Sequence, residues 1–296
     1  MLNTTAILTF IYCIVDDIVN MHPKHPKPGV NPSFTDSELI ALVLYKELAG
    51  IESERQLIRF IKRDYLFLFP ELVDQSQFNR RARELAWLIE DIRQNLLIKL
   101  GAYLVEFAVI DSTAVPIKHV VRAAITKSER DDLIDFGKRF AHKETYYGMK
   151  LHLLINRYGV PVTCILTSPK VFDGRMTDQL LQDRTNIVVL GDKAYIDDEL
   201  REKLLCDQSI ILVVPTRANQ KHQNNQTENY ALRKGRLLIE SIFNMLKDHL
   251  KLDKILAKTK QGFLVRIHRK ITAFVLGIYM NLLLDRPGLA VKSLAA

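Results

Sequence analysis

The sequence has few cysteines and no long hydrophobic run, and these absences exclude several classes of protein. Its three cysteines are widely spaced and odd in number, so they predict neither a disulfide framework nor a zinc site. The apolar stretch near the N-terminus has neither a basic flank nor a cleavage site of small residues, so no secretory signal is predicted. The apolar segment 271–284 is too short to span a bilayer and is expected to be a buried helix. We therefore expect a cytoplasmic protein with no membrane partner.

What the sequence does have is an excess of positive charge on an ordinary globular composition. Hydrophobic residues make up 48% of the 296 residues, which is enough for a sizeable core. The formal net charge of +8 favours a polyanionic partner, and nucleic acid is the commonest of these. Charge alone does not distinguish DNA from RNA or from an anionic membrane.

The first 100 residues have the periodicity of helices. Helices are predicted at 4–20, from Asp36, at 53–62 and at 76–100, with a proline-rich linker at 22–32. The two short helices around Gly50 are typical of a helix-turn-helix, but a plain helical packing layer explains them equally well. Three arginines of the last helix either hold DNA phosphates or lie over apolar surface: Arg80, Arg81 and Arg83.

Two hydrophobic runs in the second part of the chain each end near an aspartate. The strand predicted at 103–110 ends on Asp111, and the strand predicted at 187–190 is followed by Gly191 and Asp192. In open α/β sheets, ligands bind at the carboxyl ends of central strands, so both aspartates are candidate site residues. Further elements predict a mixed α/β fold: strands at 146–156, 160–168 and 210–214, and helices at 178–183 and about 197–206.

A third acidic residue, Glu240, lies on a predicted helix with two distinct faces. One face is apolar, and the other carries Arg233, Arg236, Glu240, Asn244, Lys247 and Lys251. A solvated face with ion pairs four residues apart is the ordinary interpretation of such a stripe. The two strand-end aspartates favour another one, a cluster of three carboxylates. Because unpaired carboxylates repel each other, such a cluster requires a divalent cation such as Mg²⁺ or Mn²⁺, and it predicts metal-assisted phosphoryl transfer.

These acids and their spacing match a known signature, Tyr-x2-Arg-x3-Glu-x6-Lys. Arg236, Glu240 and Lys247 meet it, whereas position 233 is Arg where the signature has Tyr. With Asp111 and Asp192 as the first two acids, and with the stretches 146–152 and 191–195, the chain resembles bacterial insertion-sequence transposases of the DDE type. The resemblance is closest to insertion-sequence family 982, among the relatives that carry the Y-R-E-K signature, and it covers roughly residues 75–285.

The resemblance implies a fold, a mechanism and partners. Residues 101–296 would form a ribonuclease-H-like catalytic domain, and residues 1–100 a helical DNA-binding domain. Two Mg²⁺ ions, replaceable by Mn²⁺, would be held by Asp111, by Asp192 and by Glu240. The protein would bind transposon ends as a homodimer, cut them and join them to target DNA, and so associate with the bacterial nucleoid.

The resemblance also implies which side chains contact double-stranded DNA. The expected contacts are Arg236, Lys247, Arg233, Lys150, Lys193, Arg139 and Lys143. His152 is interpreted as a histidine satisfied within the fold, because the ligands of the family are carboxylates. Two alternatives stay open: a nuclease with the same centre but no strand transfer, and a non-catalytic DNA-binding protein derived from a transposase.

Overall fold

A computed structural model describes residues 3–22, 32–118, 120–125, 132–139, 144–216, 223–257 and 259–294. The chain forms two compact units, one of residues 1–100 with 245–296 and the other of residues 101–244. The second unit begins at residue 101, and the last 52 residues group with the first unit. Most of the predicted proline-rich linker lies outside the described residues.

The secondary structure accounts for most of the described chain. In chain order the elements are α1 (Thr4–Val19), α2 (Asp36–Leu48), α3 (Glu54–Asp64), α4 (Gln75–Glu84), α5 (Ala86–Lys99), β1 (Phe107–Lys118), α6 (Val120–Ile125), β2 (Asp135–Arg139), β3 (Glu144–Asn156), β4 (Pro161–Thr167), α7 (Thr177–Leu180), β5 (Val188–Leu190), α8 (Asp198–Gln208), β6 (Ile211–Val213), α9 (Gln226–Asn244) and α10 (Lys260–Leu283). A π-helical turn, Met245–His249, follows α9, and 3₁₀ turns lie at Asp173–Met176, Lys193–Tyr195 and Val291–Ser293.

The first unit is a helical bundle in which α1 and α10 both pack against α2 and α5. Helix α2 begins with the predicted capping box, in which Thr35 accepts from the backbone N–H of Glu38 while the Glu38 carboxylate accepts from that of Thr35. The prediction of one long helix at 76–100 is wrong. The chain leaves the helical conformation at Leu85 (φ −88°, ψ 14°), whose side chain is buried, so α4 and α5 are separate helices.

Helix α10 confirms the prediction of a buried helix at 271–284, because most of its side chains are buried. In the part of the chain that the structure describes, no helix combines the length and apolarity needed to cross a membrane. Buried cations of α10 instead meet buried acids of the bundle. Arg269 lies 3.3 Å from Glu54 and donates to the carbonyl of Ala82 at 2.6 Å, and Lys270 lies 2.6 Å from Glu47.

The second unit is built on a six-stranded mixed sheet. Five strands follow one another in the order β2-β3-β1-β5-β6, and the sixth, β4, pairs with β3. Strand β3 pairs antiparallel with β1 along one edge, so β2 and β4 share its other edge, β2 along the first half and β4 along the second. Strands β1, β5 and β6 are parallel neighbours. The predicted mixed α/β class is therefore correct, and its later strands lie within two residues of their predicted bounds.

Strand β1 differs from its prediction at both ends. It begins at Phe107 and runs through Asp111 and Pro116 to Lys118, because β3 supplies pairing partners along that whole length. Its pairing with β5 stops at Val109. Asp111 therefore lies inside a strand but beyond the last residue that β5 covers. Strand β2 was not predicted, since its five residues, Asp-Phe-Gly-Lys-Arg, have no apolar alternation.

Candidate functional site

Asp111, Asp192 and Glu240 line one open pocket of the second unit. Asp111 comes from β1, Asp192 follows β5, and Glu240 lies on α9. Arg236 and Lys193 line the same pocket, and its remaining walls are Val109, Ile110, Gly191, Pro215, Leu232 and Ile239. The structure thus brings together five of the residues predicted from the sequence, three acids and two cations.

Local backbone structure orients the two aspartates. The parallel strands β1 and β5 run in the same direction, so the residues that follow their paired segment reach the same edge of the sheet. The Asp192 carboxylate accepts a hydrogen bond from the backbone N–H of Ala194 at 2.8 Å and thereby begins the 3₁₀ turn Lys193–Tyr195. The Asp111 carboxylate accepts from the backbone N–H of Ser112 at 2.7 Å.

Glycine 235 allows α9 to approach the sheet closely enough to bring Glu240 to this pocket. A Cβ atom at Gly235 would lie 2.7 Å from Cδ1 of Leu190 and 3.2 Å from Cγ2 of Val109. The helix buries Ile239 and Phe243, which fixes the rotation that leaves Glu240 exposed.

Replacing Gly235 with valine tests this placement. The added methyl groups would overlap the side chains of Leu190 and Val109, so we expect the second unit to lose about 1–3 kcal/mol of stability and α9 to move outward. Urea unfolding measures the loss. The matched control is Lys234→Val, which adds the same β-branched side chain at an exposed position of the same helix and should cost under about 1 kcal/mol. Equal losses in the two variants would contradict the close approach.

The acids of the pocket differ in their electrostatic surroundings. Burial, together with the charges of Asp192 and Asp173, raises the pKa of Asp111 to about 7 against the opposing effects of the Ser112 N–H and Arg236. Partial desolvation also raises the pKa of Asp192, although that residue as a whole is solvent-exposed. Glu240 is ion-paired instead, because Nε of Arg236 lies 2.8 Å from its carboxylate. The guanidinium of Arg236 is thus the cation that the three acids share.

The polar stripe predicted on one continuous helix does not continue past Asn244. The chain changes to π-helical geometry at Met245–His249, which shifts the angular register of the following residues. Lys247 lies in that turn and belongs to the helical unit, and Lys251 has a left-handed backbone with φ 57°. The i,i+4 ion pair between Arg236 and Glu240 was the ordinary alternative for this stripe, and it is present.

The other cations predicted to contact DNA have varied surroundings. Arg233 is exposed on α9. The guanidinium of Arg139 lies over the ring of Tyr146, 5.7 Å from its centroid. The ammonium of Lys150 donates to the carbonyl of Val171 at 2.8 Å and to Asp173 at 3.0 Å. Lys143 lies outside the described residues.

Two residues near the acids were not predicted as site residues. Asp173 was interpreted only as part of an Asp-Gly turn, and its charge acts on both Asp111 and Asp192. Tyr195 is fully buried, and its hydroxyl makes no hydrogen bond to any described residue. His152 is also fully buried; its Nε2 lies 2.8 Å from the hydroxyl of Thr167, whereas its Nδ1 has no hydrogen-bond partner among the described residues, so the prediction of a satisfied histidine holds for one ring nitrogen only. No local pattern marked Asp173 as a site residue, because its position depends on how turns that are distant in sequence pack together.

The donor atoms of the pocket suit a hard divalent cation. Carboxylate oxygens are the preferred ligands of Mg²⁺ and Mn²⁺, and a cation here would offset the burial and the neighbouring acids that raise the pKa of Asp111. Among the described residues, however, no three His, Cys, Asp or Glu side chains converge closely enough to form a metal site. The ion pair of Glu240 with Arg236 is consistent with this, since it engages the third carboxylate.

A pocket of carboxylates beside a guanidinium, at the end of parallel strands, is suited to reactions of phosphate esters. A family model described as "Transposase DDE domain" matches residues 102–258, more than half of the chain. The chain therefore belongs to the DDE transposase family, whose members generally use divalent metal ions. Searches among curated proteins and among solved structures gave no significant match.

Proposed function

We propose that this chain is an insertion-sequence transposase that binds the ends of its element, cuts them and joins them to target DNA. The observation that carries the proposal is the shared pocket of Asp111, Asp192 and Glu240 within the segment that matches the family. The strand order β4-β3-β1-β5-β6, with its last three strands parallel, supports a ribonuclease-H-like core. We further propose insertion-sequence family 982 as its group, on the spacing of Arg236, Glu240 and Lys247.

Each acid has a proposed role. Asp111, Asp192 and Glu240 would hold Mg²⁺ or Mn²⁺, which when bound activates water and stabilises charge on the scissile phosphate. Asp111 would be the central ligand, and a bound cation would offset the burial and the neighbouring acids that raise its pKa. Glu240, which is ion-paired with Arg236, would be available to hold the cation once Arg236 binds a DNA phosphate instead. The guanidinium of Arg236 would thus exchange the Glu240 carboxylate for a phosphate group as DNA binds.

The cations near the acids are proposed to position DNA. Arg236 and Lys193 line the pocket, and Arg233 is exposed one turn before Arg236 on the same helix. Guanidinium groups bind phosphate with two parallel hydrogen bonds, which suits Arg236 and Arg233 to the backbone of DNA. On the family resemblance alone, the other members of the proposed set of DNA contacts are Lys247, Lys150, Arg139 and Lys143. We also propose that two copies of the chain pair the two ends, and that the bundle of residues 1–100 reads the end sequence.

The experiment that tests this function uses linear DNA with both ends of the element, a supercoiled target plasmid and Mn²⁺. We expect the full-length protein to cut the ends and join them to the plasmid. Glu240→Gln should reduce both reactions on the order of 10²-fold or more, because one cation ligand is lost, while binding of end DNA in gel-shift assays stays largely unchanged.

The matched control is Glu202→Gln, which makes the same change at an exposed position of α8 and should leave both reactions intact. Nicking without joining would indicate the nuclease alternative, and end binding without nicking would indicate a non-catalytic DNA-binding protein. If Glu240→Gln cuts as fast as the Glu202→Gln control, the assigned third acid is wrong.

A further inference from the structure

Asp173 is held in a fixed position beside the acidic pocket. It opens the 3₁₀ turn Asp173–Met176, and its carboxylate lies 3.0 Å from the ammonium of Lys150. Lys150 also donates to the carbonyl of Val171 at 2.8 Å, and the side chains of Asp173 and Lys150 are only 21% and 17% exposed. With two acceptors for one partly buried ammonium, the Lys150 side chain fixes where the Asp173 carboxylate lies.

The turn that carries Asp173 packs directly on the turn that carries Asp192. A Cβ atom at Gly174 would lie 3.0 Å from the carbonyl oxygen of Ala194, so a glycine here allows the two turns to touch. The carbonyl of Gly174 accepts from the hydroxyl of Thr177 at 2.8 Å, and Asp192 accepts from the N–H of Ala194 at 2.8 Å. Both turns are therefore fixed by their own hydrogen bonds at the point of contact.

The charge of Asp173 reaches the proposed metal ligands. After burial, the charge of Asp173 is among the causes that raise the pKa of Asp111 and of Asp192. The hydroxyl of Tyr195 responds to the same three aspartates, since burial raises its pKa and Asp173, Asp111 and Asp192 raise it further. Asp173 thus belongs to one electrostatic cluster with the first two acids.

Two buried polar atoms beside this cluster have no hydrogen-bond partner among the described residues. One is the hydroxyl of Tyr195, and the other is Nδ1 of His152, which lies 3.7 Å from the Asp173 carboxylate. Both residues are fully buried. Because buried polar atoms are rarely left unpaired, such atoms beside three carboxylates indicate a place built around a bound polar group or cation with its water.

We propose that Asp173 is a fourth carboxylate of the acidic site that increases its affinity for a divalent cation, and that Lys150 is the residue that positions it. The inference rests on the proposed function, because it assumes that Asp111 and Asp192 hold the cation. It also gives Lys150 a role different from contact with DNA phosphate. Asp173 acts from outside the pocket through its charge and through the contact of its turn with the turn that carries Asp192.

Binding of Mn²⁺ to the full-length protein, followed by electron paramagnetic resonance of the free ion, tests this role without DNA. We expect Asp173→Asn to weaken Mn²⁺ binding about tenfold or more, which is typical when a group around the ligands is lost. The matched control is Asp178→Asn, which removes the same charge from an exposed aspartate 3.2 Å from Lys203 and should leave the affinity unchanged. Thermal unfolding of each variant, run in parallel, shows that it is folded at the temperature of the titration.

Two further variants separate the possible failures. If Asp111→Asn also leaves Mn²⁺ affinity unchanged, the proposed function fails and not only this inference. If Asp111→Asn loses affinity while Asp173→Asn matches the Asp178→Asn control, only the role of Asp173 is overturned. The double variant Asp173→Asn with Lys150→Met removes both charges. We expect most of the loss to remain, and full recovery of wild-type affinity would show that Asp173 does no more than neutralise Lys150.

Discussion

Replacing Asp111 with asparagine is expected to reduce metal-dependent DNA cleavage on the order of 10³-fold or more, because the central ligand of the proposed cation is lost and a bound cation contributes several kcal/mol of transition-state stabilisation. The substitution keeps the size and shape of the side chain. It also keeps the acceptor oxygen for the N–H of Ser112. Cleavage of end DNA in Mn²⁺, measured under single-turnover conditions, gives the rate.

The same substitution should leave the fold intact or make it more stable. Burial raises the pKa of Asp111 to about 7, so above that pH the folded protein carries a buried charge that the unfolded chain exposes to water. This cost is absent below the ordinary pKa of 3.8, grows as the pH rises towards 7, and is removed by asparagine. At pH 8 and without metal we therefore expect Asp111→Asn to unfold at the same or a higher temperature than the wild type.

An exposed aspartate provides the control for both measurements. Asp198 lies 3.6 Å from Arg201 with its side chain 79% exposed, so Asp198→Asn should change neither the cleavage rate nor the unfolding temperature appreciably. A variant Asp111→Asn that still cleaves DNA at more than a few per cent of the wild-type rate would contradict the assignment of this ligand. A variant that unfolds on substitution would instead contradict the account of its burial.

The second large effect is expected in the helical unit, at Glu47. Its carboxylate is buried and lies 2.8 Å from Lys46 and 2.6 Å from Lys270. Glu47→Gln leaves two buried ammonium groups without their anion, which should cost roughly 3–5 kcal/mol of unfolding free energy. The matched control is Glu52→Gln, whose partner Lys254 is 3.8 Å away with both side chains at least half exposed, and which should cost under about 1 kcal/mol.

The ionisation of Glu47 should also make the stability of the fold depend on pH. Burial by itself would raise the pKa of this carboxyl group, but the ammonium groups of Lys270 and Lys46 outweigh it and lower the pKa from 4.5 to about 2. Ionised Glu47 therefore stabilises the fold above about pH 4.5, and its contribution of about 3 kcal/mol is lost as the pH falls from 4.5 towards 2. Urea unfolding between pH 2 and 6 should show a smaller loss for Glu47→Gln than for the wild type. Parallel curves for the two proteins would contradict this role.

The sequence predicted those helix and strand boundaries that are set by a local pattern of residues. The capping box at Thr35 marked the start of α2, and the apolar run before Asp192 marked β5, because both signals lie within a few residues. The strand β1 was predicted to end early, since Pro116 is a local signal for a break, whereas its real length is set by pairing with β3. The break at Leu85 had no local signal of its own.

For the candidate site too, only the residues with a local sequence signal could be named in advance. The two strand-end aspartates and Glu240 could be named because each stands out in its own segment. The proximity of Asp173 to Lys150 and to the turn of Asp192 could not be predicted, because these segments lie apart in sequence and meet only in the folded unit. The π-helical turn after Asn244 likewise could not be seen from a repeat of apolar residues, and it removed Lys247 from the predicted stripe.

The chain leaves the helical unit at residue 100 and returns to it at residue 245, and this has a consequence for biosynthesis. A ribosome completes the whole second unit before it supplies α10 and Lys270, the partner of Glu47. During that interval Glu47 lacks its partner Lys270, and the core of the bundle lacks helix α10. Complete burial of Glu47 is therefore possible only after residues 260–283 of α10 have been synthesised.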